Sequence, residues 1–172
     1  MKLTSIYSAV ALSLLLATGA QAVEKNITVT ASIDPTLDMA MADGTALPSN
    51  IDMRYNPVSG LQDYTLQTKI FTNATDKDVT MRLLAPVLLT NTVNSAQTIP
   101  LTVKYNQKEV TATDWAPADQ LKGTTMFTAD GSSVSMPLTI SASNTNHTTW
   151  KAGTYQGVVG LMISQVTPAV VP

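Results

Sequence analysis

The feature that most constrains this chain is a run from Val23 to Asp34 in which apolar and polar side chains alternate. Odd positions carry Val23, Ile27, Val29, Ala31 and Ile33, interrupted only by Lys25, and even positions carry Glu24, Asn26, Thr28, Thr30, Ser32 and Asp34. A period of two places one row on a buried face and the other in water, so the run predicts a two-faced β-strand. Pro35 ends it, because proline has no N–H for a ladder and biases Asp34 toward an extended backbone.

The segment before this run has the features of a secretory signal peptide. Met1-Lys2 is a short basic region, Ile6 to Leu16 is mostly apolar, and Ala20-Gln21-Ala22 fits a cleavage motif. The alternative, a transmembrane anchor, is disfavoured because the apolar run is shorter than the roughly 20 residues that span a bilayer. We therefore expect residues 1–22 to be removed on export, so that the alternating run begins the mature chain.

The composition limits the class of protein. Removing residues 1–22 from 172 leaves 150, which suits one domain with one packed core. Loss of Lys2 takes the formal charge from -2 to -3, and the charges are scattered, so there is no basic patch for nucleic acid. The chain has no Cys, so an exported fold of this kind depends on packing and backbone pairing rather than on disulfides.

Short strand-like segments recur between turn signals along the rest of the chain. The strand candidates are Ile51–Tyr55, Tyr64–Ile70, Val79–Leu83, Ile99–Tyr105, Lys108–Thr113, Val134–Ile140 and Tyr155–Ile163. Turn signals stand at Asp43-Gly44, Asn56-Pro57, Asp76-Lys77, Asn106-Gln107 and Asp130-Gly131. Strands at this spacing predict an all-β domain, a two-sheet sandwich of immunoglobulin-like type.

The sequence offers little for catalysis or metal binding. His147 is the only histidine and lies in a polar stretch, where an exposed loop residue is favoured over a ligand or a base. Asp76-Lys77-Asp78 lacks the ligand set of a calcium loop and is interpreted as a solvated turn. Asp34 and Asp38 are close in sequence, but nothing supplies a pocket or a nucleophile beside them. We expect no enzyme activity, no cofactor and no metal.

Two tryptophans leave a binding function open. Trp115 and Trp150 are candidates for stacking against a glycan, although packing in the core or at its rim is the more common role of such residues. The alternative function is therefore a secreted, monomeric carbohydrate-binding adhesin module.

The segment from Ala152 to Ile163 is the second informative pattern. A glycine turn leads into an apolar strand with Tyr155, Val159, Leu161 and Ile163 on one face, and the other face is also partly apolar. Such a strand is central or lines a groove. Because the run from Val23 to Asp34 has no evident hairpin to the body, it is attractive to place it in another subunit, beside the last strand there.

Three segments of the sequence resemble those of a known protein family. The chain resembles the major pilins of class 5, or alpha, fimbriae, the colonisation-factor-antigen and cable-pilus group of the alternate chaperone/usher pathway. The most specific parts are Val23 to Pro35, Ala42-Asp43-Gly44-Thr45-Ala46-Leu47-Pro48, and Ala152 to Val159, and the lack of Cys agrees with the family. One departure is Thr167 to Pro172, which runs beyond the family's usual end.

The resemblance implies an immunoglobulin-like sandwich that lacks its last strand and is completed by donor-strand exchange. It implies a body over residues 36–172 and an N-terminal donor segment over 23–35, with Pro35 as the hinge. The donor residues are Val23, Lys25, Ile27, Val29, Ala31 and Ile33, and the groove wall is Tyr155, Val159, Leu161 and Ile163. The implied partners are identical subunits, a periplasmic chaperone, an outer-membrane usher and a tip adhesin. The implied location is a fimbria on a Gram-negative cell, reached through the periplasm, with adhesion as a property of the fibre.

Overall fold

The computed structural model describes residues 28–31, 33, 36–113, 121, 126–144 and 146–166. The expected signal peptide, residues 1–22, and the tail, residues 167–172, lie outside the described residues. The chain divides into two units, Met1–Ile33 and Asp34–Pro172, and the strands found among the described residues lie in the second unit, called the body below. Among the described residues, no helix is long and apolar enough to cross a membrane.

The described part of the body contains eleven strands and one 3-10 turn. The strands are β1 (Leu37–Met41), β2 (Tyr55–Asn56), β3 (Gly60–Leu61), β4 (Tyr64–Thr72), β5 (Asp78–Leu83), β6 (Leu88–Asn91), β7 (Thr98–Tyr105), β8 (Lys108–Val110), β9 (Met136–Ala142), β10 (Tyr155–Gln156) and β11 (Leu161–Val166). The 3-10 turn covers His147–Thr149. The predicted all-β class is confirmed.

One sheet carries most of the strands. Its order is β1-β4-β9-β7-β6-β10, with β8 paired to β7, and its pairs are antiparallel. A second, two-stranded sheet pairs β11 with β5, with Leu161 opposite Leu83 and Val166 opposite Asp78. The short β2–β3 hairpin pairs only with itself among the described strands. The second sheet is thus much smaller than the first.

The core lies where the alternating strands turn their apolar faces inward. Along β4, Leu66, Thr68 and Ile70 are buried while Thr65 and Gln67 are exposed, as a period of two requires. The buried cluster draws on both sheets, from Met81 on β5 to Val103 on β7, and Val159, Leu161 and Ile163 pack against it from the edge. The five predicted turns are all found at turns or strand ends.

Several strand predictions need correction. Ile51–Tyr55 is not a strand before Tyr55, although Ile51 and Met53 are half-buried and Asp52 and Arg54 are exposed, because no described strand pairs with it. Tyr155–Ile163 is two strands, β10 and β11, which join different sheets.

Other boundaries shift and three strands were missed. Val134–Ile140 becomes Met136–Ala142, and Lys108–Thr113 stops at Val110. The prediction omitted β1, whose Leu37, Met39 and Met41 do alternate, and both β3 and β6, which have no alternation to detect.

Candidate functional site

The floor of the candidate site is the apolar inner face of the large sheet. A cavity of about 1330 Å³ opens over it. The floor side chains come from β4, β6, β7, β9 and the chain just before β6, and they are Leu66, Val87, Leu89, Ile99, Leu101, Leu138 and Ile140. They are buried or half-buried core residues, so the cavity gives access to the core itself. We call this cavity the groove.

Two segments, of which only the second contains a strand, form the walls of the groove. Residues 48–53 and 150–159 line it, together with Tyr55 and Leu161. Within the described part of the chain, residues 46–53 and 157–159 belong to no strand and form no backbone–backbone hydrogen bond. Backbone N–H and C=O groups beside an apolar surface need hydrogen-bond partners. Because the backbone of these stretches of both walls is unpaired, each wall has an edge that can pair with an added strand.

A tight turn directs the chain from β1 into the first wall. The Asp43 carboxylate accepts hydrogen bonds from the Thr45 N–H at 2.9 Å and the Thr45 hydroxyl at 2.6 Å. These bonds favour the charged form and hold the pKa of Asp43 below its ordinary value. Gly44 takes a φ of +85°, which glycine adopts without strain. The turn therefore ends β1 and releases residues 46–53 from the large sheet.

The second wall is held by close packing against β6. A Cβ at Gly153 would lie 2.3 Å from the Asn91 side-chain amide, and one at Gly157 would lie 2.3 Å from the Leu88 carbonyl oxygen. Asn91 is buried, and its Oδ1 accepts the N–H groups of Val93 and Asn94 at 2.9 and 3.1 Å. Glycine is needed at these two positions because the wall backbone approaches β6 so closely.

Aromatic residues lie at one end of the groove, where Tyr55 and Trp150 are part of its lining. The Tyr55 and Trp150 rings have centroids 6.4 Å apart, and those of His147 and Trp150 are 6.3 Å apart in an edge arrangement. Gly60 lies against them, since a Cβ there would be 3.4 Å from the Trp150 ring. Tyr55 remains 55% exposed, and Trp115, the other candidate for glycan stacking, lies outside the described residues. We call Tyr55, His147 and Trp150 the aromatic end of the groove.

The four predicted wall residues fall into two groups. Tyr155, Val159 and Leu161 line the groove, whereas Ile163 does not and packs against the core. Sequence reasoning missed the first wall and the floor. The alternation of Ile51 and Met53 was a signal for the first wall. The floor has no such local signal, because it is formed by strands that are far apart in the chain.

The predicted donor residues lie in the other unit. Val23, Lys25, Ile27 and the hinge Pro35 are outside the described residues. Val29 and Ile33 are 85% and 82% exposed, and Ala31 is also exposed. Residues 28–31 and 33 belong to no strand.

The residues considered for chemistry are not brought together. Asp38 is exposed and accepts the N–H of Met39 at 2.8 Å, and Asp34 is outside the described residues. His147 is half-buried against Gly60 and Trp150 rather than exposed, because the 3-10 turn packs onto the β2–β3 hairpin. Asp78 is the buried first residue of β5 rather than part of a solvated turn. In the described ranges, no group of three or more His, Asp or Glu side chains is placed to hold a metal ion.

Comparison with known proteins places these features in context. Residues 23–164 match the family model of the CS1 type fimbrial major subunit. The chain is 36% identical to a CS1 fimbrial subunit of Escherichia coli, over 97% of this chain and 100% of that protein. It is 37% identical to a CFA/I fimbrial subunit of Escherichia coli O78:H11, over 95% of this chain and 98% of that protein.

A solved structure supports the same relation at the level of the fold. The CooA pilin subunit from enterotoxigenic Escherichia coli is similar with a TM-score of 0.67 and 29% identity, covering 77% of this chain and 88% of that one. The immunoglobulin-like sandwich predicted from strand spacing is thereby confirmed as a pilin fold.

Proposed function

The chain belongs to the family of CS1 type fimbrial major subunits, and from that premise we propose that it polymerises by donating residues 23–34 to the groove of a neighbouring copy. It is a structural component of a fimbria and not an enzyme, its partners are identical subunits in a filament, and its place is a fimbria at the cell surface. The family resemblance inferred from the sequence is confirmed.

The observation that carries the mechanism is the pair of unpaired walls over an apolar floor. Residues 46–53 and 157–159 offer backbone groups on both sides of the groove. A strand laid between them adds backbone pairing on two edges and covers Leu101, Leu138 and their neighbours. The groove therefore accepts a strand whose one face is apolar.

Residues 23–34 have the pattern that this groove requires. Their odd row, from Val23 to Ile33, faces the floor, and their even row is polar throughout. Burial of four large apolar side chains stabilises the joint by about 1.5–3 kcal/mol each, which gives on the order of 10 kcal/mol. This is an upper value, because the entropy lost when the strand is ordered has not been subtracted. A joint of this strength opens slowly.

The direction and length of the donor strand follow from the sandwich. The strands of an immunoglobulin-like fold are antiparallel to their neighbours, so the donor runs antiparallel to β10 and β11. Residues 155–166, which contain those two strands, and residues 23–34 are both twelve residues long. The donor then begins beside Val166 and leaves the groove near Tyr155, at the aromatic end.

The same arrangement explains why the product is a fibre. The donor segment and the groove are different surfaces, so the contact is heterologous and does not close on itself. Each subunit gives one strand and receives one strand.

The remaining partners follow from the need to protect an open groove. Before assembly, a periplasmic chaperone supplies a temporary strand, and an outer-membrane usher exchanges it for the donor strand of the next subunit. A tip adhesin caps the fibre. The signal peptide over residues 1–22 delivers the chain to the periplasm, and the family match begins at residue 23, directly after the expected cleavage site.

Electron microscopy of the exported, mature chain tests this function. Expressed with its chaperone and usher, the chain is expected to appear as fibres on the cell surface. A monomeric carbohydrate-binding module would instead give no fibres and would bind glycan as an isolated chain, and that result would overturn the proposal.

The hinge at Pro35 makes a separate prediction. Proline fixes φ near -65°, so it restricts the angle between the donor strand and the body that follows it. Pro35→Ala is expected to keep fibres but to increase their bending and lower the force at which they extend, as measured by force–extension curves. Asp34→Asn, which keeps the proline, is the control. Unchanged curves for Pro35→Ala would mean that Pro35 only ends the strand.

A further inference from the structure

Residues 167–172 have a composition suited to an aromatic surface. The segment reads Thr-Pro-Ala-Val-Val-Pro and has no charged side chain. Proline favours an extended polyproline II backbone, and such segments bind surfaces lined by aromatic rings. The family match ends at residue 164, so this segment is a feature of this chain beyond the match.

The segment leaves the body next to the point where the chain enters it. The Gln165 side-chain amide donates to the Thr72 hydroxyl and to the Ala74 carbonyl, the latter at 3.4 Å. Between those two residues, the Asn73 Oδ1 accepts the Thr36 N–H at 2.8 Å. The end of β11, after which residue 167 follows, therefore lies close to Thr36. This is the end of the body to which the donor segment is attached.

The aromatic end of the groove lies at the opposite end of the same body. Trp150 packs on Gly60, which precedes β4, whereas Thr72 is the last residue of that strand. Nine residues of β4 span about 27 Å at roughly 3.4 Å per residue. Six residues reach at most about 20 Å when fully extended. Residues 167–172 are thus too short to reach the aromatic end of their own subunit.

Assembly with a neighbouring copy brings the two features together. The donor strand leaves the receiving groove at its aromatic end, and only Pro35 separates its last residue, Asp34, from Thr36 of the incoming body. The step from Asp34 to Thr36 spans about 7 Å. Residue 167 of the incoming subunit therefore lies close enough to the aromatic end of the receiving subunit for the six residues 167–172, with their reach of about 20 Å, to bridge the gap. We propose that residues 168–172 of each incoming subunit dock on Tyr55 and Trp150 of the subunit that receives its donor strand. This inference rests on the proposed donor-strand polymerisation.

The chemistry of the contact is apolar. Pro168, Val170 and Pro172 cover the exposed part of Tyr55 and the half-buried Trp150 ring, and none of the side chains of the segment is ionic, so no side-chain charge has to be desolvated. The contact is a second link between consecutive subunits, in addition to the donor strand.

Disulfide trapping in assembled fibres tests the contact, because the natural chain has no Cys. The variant Val170→Cys with Lys151→Cys, an exposed residue next to Trp150 whose replacement keeps both aromatic rings, is assembled into fibres, oxidised, and denatured without reductant. A disulfide needs Cα atoms within about 7 Å, so the expected result is a ladder of covalent multimers. The matched control pairs Val170→Cys with Glu109→Cys, an exposed residue on β8, and is expected to stay monomeric.

The outcomes separate this contact from the polymerisation mechanism. Fibres that form but give no ladder, or give the same ladder with Glu109→Cys, overturn the docking and leave the donor strand intact. A natural chain that forms no fibres overturns the proposed function instead.

A truncated variant covers the case in which the cysteine variants do not assemble. Ending the chain at Val166 is expected to leave fibres that dissociate about tenfold faster in heated denaturing buffer, because one of two links is lost. Tyr55→Ala is expected to match it, and combining the two changes is expected to add nothing further. Dissociation at the natural rate, or fully additive effects, would contradict a shared contact.

Discussion

Val29→Asp is expected to abolish fibres while leaving the chain able to fold and to bind its chaperone. Residue 29 lies at the centre of the apolar row and in the unit separate from the body. In a neighbour's groove, the new carboxylate would be buried without a partner, which costs several kcal/mol, in addition to about 1.5–3 kcal/mol for the lost valine burial. Electron microscopy of the cells and immunoblots of periplasmic extracts measure the two expectations.

Thr30→Asp is the matched control for this change. It introduces the same charge one residue later, on the polar row that faces water, and Thr30 is exposed like Val29. Fibres of normal length and heat resistance are expected from Thr30→Asp and none from Val29→Asp. If Val29→Asp fibres are also normal, residues 23–34 are not the donor strand.

Strand periodicity predicted the parts of the fold whose partners lie in the same chain. Tyr64–Ile70, Val79–Leu83 and Ile99–Tyr105 alternate in sequence and form β4, β5 and β7 in the body. Alternation of apolar and polar side chains indicates an extended backbone with one buried face. Such a segment becomes a strand where a neighbouring strand is present to pair with it.

The failure at Ile51–Arg54 has the same physical basis. Its side chains alternate between half-buried and exposed, yet no described strand pairs with it. A pattern of side chains encodes the burial of one face but not the identity of the strand that hydrogen-bonds to the edge. In the proposed polymer, the donor strand of a neighbouring subunit lies beside this segment.

The break between β10 and β11 was not visible in the periodicity. Gly157 and Gly160 lie between them, and Cβ atoms there would approach the Leu88 carbonyl oxygen to 2.3 Å and the Leu84 side chain to 2.9 Å. The close approach of two backbones depends on contacts between distant segments, so only the structure reveals why glycine is needed. The floor of the groove was missed for the same reason, since β4, β6, β7 and β9 are brought together by the sheet order.

The second large effect is expected from a chain that completes itself. A copy of residues 23–34 is joined after Val166 through a short flexible turn, in place of residues 167–172, and the natural residues 23–34 are removed. The turn lets the copy run antiparallel to β11, the direction proposed for the donor strand. Because the strand is now tethered, its effective concentration at the groove is high, about millimolar for a short linker, and it outcompetes a neighbour's strand. The product is expected to be a soluble monomer that needs no chaperone.

Two matched chains serve as controls. One lacks the added copy, and it is expected to melt at a lower temperature and to aggregate on heating, because an apolar groove and unpaired edges remain open. The other carries the copy with Val29→Asp, which tests whether the apolar row, rather than the added length, fills the groove.

The thermal melt of these three chains is the most direct test that the body is an incomplete sandwich. The chain with the natural copy is expected to melt at least about 15 °C above both controls, since several kcal/mol of strand burial shift the midpoint of a domain of this size by that order. It is also expected to elute as a monomer in size-exclusion chromatography. Equal melting temperatures for the three chains would show that the body is already complete without a donor strand, and would contradict donor-strand polymerisation.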